Sequence, residues 1–113
     1  MAIQQWSDDI MVVELNEDPQ FTEEMGALLD RLEENPCDVV LNFAGVGFIN
    51  SSNISKLLRL RKMLIGAEKR LILCDLNSQV WGVFLVTGLD KIYEVASDVA
   101  TALATVQLTN GHA

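Results

Sequence analysis

The residues with chemistry to offer lie together at Asn50-Ser51-Ser52-Asn53, followed within two turns by Lys56 and Arg59. Neighbouring hydroxyls can accept a phosphate. Asn and Ser in such a place also cap helices, because their side-chain oxygens accept free N–H groups of the first turn. A helix starting here leaves its first four N–H groups without intrahelical partners and carries about half a positive charge at that end. A phosphate on Ser51 or Ser52 would be received by those donors. On residue types alone the simpler role, a helix cap, is favoured. Other chemistry lacks its parts. The single histidine, His112, sits near the C-terminal end, and no serine or cysteine has an identifiable base, so acid/base and nucleophilic catalysis find no support. Cys37 and Cys74 show neither CxxC spacing nor a nearby histidine, which favours buried thiols over a disulfide or metal site. Gly45-Val46-Gly47 lacks the third glycine of a dinucleotide loop, and no Gly-Lys-Ser/Thr follows it. The chain reads as a binding protein and not an enzyme, with no cofactor and no metal.

The elements that position these residues follow from periodicity. Ile3 to Trp6 is a short first strand, and Ile10–Leu15 a stronger one rich in β-branched and apolar residues. Asp18 is the expected N-cap of a helix with Pro19 at its first position. Phe21, Met25, Leu28, Leu29 and Leu32 then recur at helical spacing, giving an amphipathic helix with an acidic outer face that ends at Asn35-Pro36. Val39–Phe43 is a buried-strand run. Gly45 and Gly47 loosen the connection to Ile49 and the Asn-Ser-Ser-Asn segment. The central helix then runs to about Ala67, with Ile54, Leu57, Leu58, Leu64 and Ile65 as its apolar face. Leu71–Cys74 is the next buried strand, with Asp75 and Asn77 in the turn beyond. Val80, Val83 and Phe84 mark a short helix broken by Gly88, and Ile92-Tyr93 a last brief strand. Ser97 is the expected cap of a final helix whose core stripe is Val99, Ala102, Leu103 and Val106, followed by a frayed tail from Leu108. Trp6 and Trp81 are read as core or interface filler. Strands alternating with helices imply crossovers, and so a mostly parallel mixed sheet of four to five strands covered by about four helices.

Length and composition fit that picture. One hundred and thirteen residues suit one domain, 1–113, with a core over about 9–106 and a short flexible C-terminal tail. Half the residues are hydrophobic, so disorder is not the default. No apolar stretch approaches the roughly 20 residues of a membrane span and no basic segment precedes an apolar run at the N-terminus, so a soluble cytoplasmic chain is expected. The net charge of −8 is unevenly spread: residues 1–38 carry −10, residues 39–70 carry +5 and residues 71–113 carry −3. An acidic chain is a poor direct ligand for nucleic acid. The basic central segment, with Lys56, Arg59, Arg61 and Lys62, is either a solvated helix face or a surface for an acidic protein partner.

The segment Asn42-Phe43-Ala44-Gly45-Val46-Gly47-Phe48-Ile49-Asn50-Ser51-Ser52-Asn53-Ile54 resembles the signature of the STAS family, the sulfate transporter and anti-sigma factor antagonist domain. The usual form there is Asp-Leu-Ser-x-Val-x-Phe-Ile-Asp-Ser-Ser-Gly-Ile followed by a helix. Gly66–Cys74 resembles the family's Gly-then-strand segment, and Val86-Thr87-Gly88-Leu89-Asp90-Lys91-Ile92-Tyr93 its Leu-Thr-Gly-Leu-Asp-x-x-Phe segment. The resemblance implies a small α/β sheet covered by helices, and a partner-switching function. In the bacterial anti-sigma antagonists the first Ser after the Asp is phosphorylated by a kinase that is also the anti-sigma factor, and the unphosphorylated form binds that kinase. Matched by position, the phosphoacceptor is Ser51, with Ser52 as the alternative, and the docking surface comprises Asn50, Ser51, Ser52, Asn53, Lys56 and Arg59. The implied partners are an anti-sigma factor/serine kinase and a phosphatase, with no membrane insertion and a homodimer as a further option. Here Asn42 and Asn50 stand where the family has Asp, and Asn53 where it has Gly. The neutral Asn50 favours an alternative, a STAS interaction module that is not phosphorylated and serves as a scaffold or transporter-accessory subunit. A nucleotide-binding sensor is a third reading, resting only on the polar Gly-Ser loops.

Overall fold

The alternation of short β-branched runs with amphipathic helices builds a five-stranded sheet sandwiched between helices. In the computed structural model, which describes residues 2–110, the strands are β1 (Ala2–Ser7), β2 (Ile10–Asn16), β3 (Asp38–Gly45), β4 (Leu71–Cys74) and β5 (Glu94–Ala96). The helices are α1 (Gln20–Glu34), α2 (Ser51–Gly66), α3 (Ser78–Thr87) and α4 (Val99–Asn110), with a 3-10 turn at Leu89–Lys91. The sheet order is β1-β2-β3-β4-β5. Only the β1–β2 pairing is antiparallel, and the other three are parallel, as the crossover helices require.

Strand side chains alternate between two cores. Met11, Val13, Leu15, Val39, Leu41, Phe43, Leu71 and Leu73 point to one face, where they pack with Phe21, Met25, Leu28 and Leu32 of α1 and with Leu57, Leu60 and Leu64 of α2. Ile10, Val12, Val40, Ile72 and Cys74 point to the other, where Ala102 and Val106 of α4 cover them. Both faces of the central strands are therefore buried, which is why those strands read as unbroken apolar runs. Cys37 and Cys74 are free and buried.

Several elements depart from the sequence reading. α1 starts one residue later, at Gln20, with Pro19 at the cap position. In α2 the inner face is Asn53, Leu57, Leu60 and Leu64, and the apolar Leu58 and Ile65 are 39% and 55% exposed. The last strand lies over Glu94–Ala96 and not Ile92-Tyr93, because Leu89–Lys91 coils into the 3-10 turn and Tyr93 packs against Phe84. Asp98 caps α4 in place of Ser97, its Oδ1 accepting the Thr101 N–H at 2.8 Å. The helix continues to Asn110, so Leu108 is helical rather than frayed, and His112 lies outside the described residues. Trp81 stacks on Phe84, but Trp6 is 40% exposed on the edge strand. Gly45 does more than loosen a loop: a Cβ there would meet the Leu15 carbonyl oxygen at 2.8 Å, so only glycine lets the end of β3 approach β2 this closely. Gly88 closes α3 at φ 77°, a left-handed position that favours glycine.

Candidate functional site

The loop from β3 to α2 sits at the C-terminal edge of the parallel strands, where open α/β sheets present their ligand-facing loops. Val46 and Ile49 anchor it in the core while Phe48 between them is 56% exposed. From the neighbouring α3, Asn77 fixes the same loop. Its Oδ1 accepts the Val80 N–H at 2.8 Å as the α3 cap, and its Nδ2 donates to the Gly47 carbonyl at 2.9 Å. One side chain thus starts a helix and holds the loop that leads to Ser51.

Asn50 is the cap of α2. Its Oδ1 accepts the Asn53 N–H at 2.9 Å, and Asn53 Oδ1 accepts the Asn50 N–H at 3.1 Å, a reciprocal capping box. The two amide groups then converge on one carboxylate: Asp18 Oδ2 accepts from Asn50 Nδ2 at 3.1 Å and from Asn53 Nδ2 at 2.9 Å. Asp18 Oδ1 accepts from the Thr22 hydroxyl at 2.7 Å and the Thr22 N–H at 3.0 Å. The Thr22 hydroxyl bond first, with the bonds from Asn53 and Asn50, holds the Asp18 carboxyl at about 2, well below its ordinary 3.8. A negative charge is thereby fixed at the positive end of α2, which carries no acid in its own first turn.

This arrangement reassigns the expected residues. Ser51 and Ser52 do not cap the helix; they are its first two residues, both exposed, with the cap already made by Asn50. Asn53 is 1% exposed, so it supports the surface from beneath and is not part of it. Lys56 is half-buried with its Nζ 3.4 Å from Ser52 Oγ, and Arg59 is exposed one turn further on. Asn50, Ser51, Ser52 and Arg59 thus share an exposed surface with Phe48 beside them. In the sequence Asp18 is legible only as a local helix cap. The signal for its wider role is the pair of asparagines at the two motif positions where the STAS pattern has Asp and Gly. Asn42, the third departure, accepts the Ala44 N–H at 2.8 Å and makes a local turn. Among the described residues no cluster of His, Cys, Asp and Glu is placed to hold a metal ion. Burial pushes the Cys74 thiol up to about 12 and raises Cys37 as well, which disfavours the reactive thiolate at both positions.

Comparison with known proteins places this geometry. The fold matches a Thermotoga maritima protein assigned as an anti-sigma factor antagonist with a TM-score of 0.84 and 16% identity, over 94% of this chain and 93% of that one. A variant of RsbS from Moorella thermoacetica matches at TM-score 0.83 and 16% identity, over 97% of each chain. The anti-sigma factor antagonist SpoIIAA in its unphosphorylated form matches at 0.77 and 16% identity, over 99% of this chain and 97% of that one. At such identities the likeness is one of fold. No curated protein matches the sequence. The STAS domain profile matches residues 5–102, nearly the whole chain and the entire loop that carries Ser51, and the protein belongs to the STAS domain family.

Proposed function

We propose that the protein is a partner-switching regulator of the anti-sigma factor antagonist type. It binds an anti-sigma factor/serine kinase in the cytoplasm through the surface around Ser51, and phosphorylation of Ser51 ends that binding until a phosphatase restores it. The protein acts as a binding partner and not as an enzyme. The observation that carries this reading is the release of Ser51 from any capping role. Asn50 and Asn53 make the capping box between themselves, leaving Ser51 exposed at the first residue of α2. A phosphate there adds about −1.5 to −2 charges to a surface a partner must desolvate, and so opposes docking. Among the described residues no helix is long and apolar enough to cross a membrane, in keeping with a partner met in solution.

The neutral Asn50 favours a second reading, a STAS interaction module that docks constitutively as a scaffold or transporter-accessory subunit. Intact mass and peptide mapping of protein taken from its native host without phosphatase treatment separate the two. One phosphate on Ser51 or Ser52 supports the switch. Its absence under several growth conditions supports the constitutive module. Ser51→Asp completes the test: the switch requires weaker capture of the kinase-type partner with an unchanged melting temperature.

A further inference from the structure

The charge segregation seen in the sequence becomes a spatial pattern on the outer helical layer. α1 and α2 pack side by side on one face of the sheet. Each returns between two parallel strands, so the two helices run in the same direction. Opposite its buried stripe, α1 presents Glu23, Ala27, Asp30 and Glu34 to solvent. Opposite its own, α2 presents Ser55, Arg59, Lys62 and Gly66. Both crests follow the same i, i+4, i+7, i+11 spacing, one acidic and the other basic. Among the described residues no ion pair joins them, because each points away from the sheet and not toward its neighbour.

We infer that this two-helix layer is a self-complementary surface whose partner is a second copy of the same chain. A two-fold axis running between the helices and parallel to both lays α1 of one copy on α2 of the other, in the same direction. Each acidic crest then meets a basic crest, and the contact occurs twice. With the equal spacing in register, Asp30 faces Lys62 and Arg59 falls between Glu23 and Asp30. Ala27, Ser55 and Gly66 leave room for the backbones to approach to ordinary helix-packing distance. The other two-fold, with its axis across the helices, lays α1 on α1 and is repelled. Helices about 23 Å long offer less than the roughly 800 Å² per partner of a standard stable interface, so the dimer is weak and concentration-dependent. It covers the turn that follows Ser51 and Ser52, and so competes with any partner docked there. The inference itself does not depend on phosphorylation.

Sedimentation equilibrium of the full chain tests this, at about 150 mM salt, where whole-molecule repulsion is screened beyond about 8 Å. Three samples are compared: the parent, R59E/K62E, and E23K/D30K. The parent should dimerise below about 1 mM, each variant alone should associate at least about tenfold more weakly, and an equimolar mixture of the two should recover the affinity. A parent that stays monomeric overturns the inference. So does a dimer that both variants keep, which would point to another surface such as the free edge of β1. Where a variant fails to fold, zero-length carbodiimide crosslinking of mixed isotopically light and heavy parent chains decides. Inter-copy links from Lys62 to α1 acids support the surface, and links confined elsewhere overturn it.

Discussion

Asp18 Oδ2 accepts a hydrogen bond from Asn53 Nδ2 at 2.9 Å, joining residues 35 apart in sequence. Through that bond and the one from Asn50, the turn before α1 holds the start of α2. The family's motif has a carboxylate just before the serine. In this chain the adjacent carboxylate comes from a different loop, and the motif position supplies the amide that binds it.

The pH dependence of this contact has a definite sign. Asp18 ionises at about 2 in the folded protein, below its ordinary 3.8. A depressed folded-state value contributes stability above the unfolded value, and that contribution is lost as pH falls from about 4 through about 2. Melting temperatures measured across that window should fall more steeply for the parent than for Asp18→Asn. Parallel curves would show that the carboxylate adds nothing to the fold.

Restoring the family's acid at the motif position should be harmful here. Asn50→Asp sets a second carboxylate against Asp18, replacing an amide donor that now lies 3.1 Å from Oδ2. Its urea midpoint is expected below the parent's. Adding Asp18→Asn should recover most of the loss, since the amide introduced at position 18 could then donate to the new acid. Additive losses in the double variant would rule out direct coupling.

The division of labour at the start of α2 is open to truncation. Asn53→Ala removes a buried side chain that caps Asn50 and binds Asp18, at an expected cost of about 1–3 kcal/mol in denaturant unfolding. Ser51→Ala, at an exposed and non-capping position, should stay within about 0.5 kcal/mol of the parent. Equal costs would return the capping role to the serine.

The thiols provide a check on the core. Cys37 and Cys74 are both buried, and burial raises Cys74 to about 12. A thiol reagent at pH 8 should modify neither in the native protein and both after unfolding in guanidinium. Rapid native labelling would place a cysteine at the surface.

Sequence periodicity recovers the apolar face of α1, though not its first residue, because Phe21, Met25, Leu28, Leu29 and Leu32 are all apolar and all buried. It misplaces the phase of α2 because a polar residue, Asn53, occupies the inner face while the apolar Leu58 and Ile65 lie outside it. A binary pattern has no means of showing that an asparagine is buried by virtue of its hydrogen bonds. Three-residue β5 is too short for any period to register, and Ser97 and Asp98 are equally good caps until the backbone chooses one. At the site, the motif exposes Ser51 and its neighbours directly. The role of Asp18 stays hidden because an acid before a proline is fully explained by its own helix, and nothing local marks a partner more than thirty residues away.

Because the capping box of α2 is made by Asn50 and Asn53 without the side chains of the serines between them, position 51 has no part in the cap. Selection can therefore install, remove or imitate a charge there by a change at one codon while the scaffold keeps its shape. The charge of the exposed surface and the integrity of the fold are thus set by different residues, the first by position 51 and the second by Asn50 and Asn53.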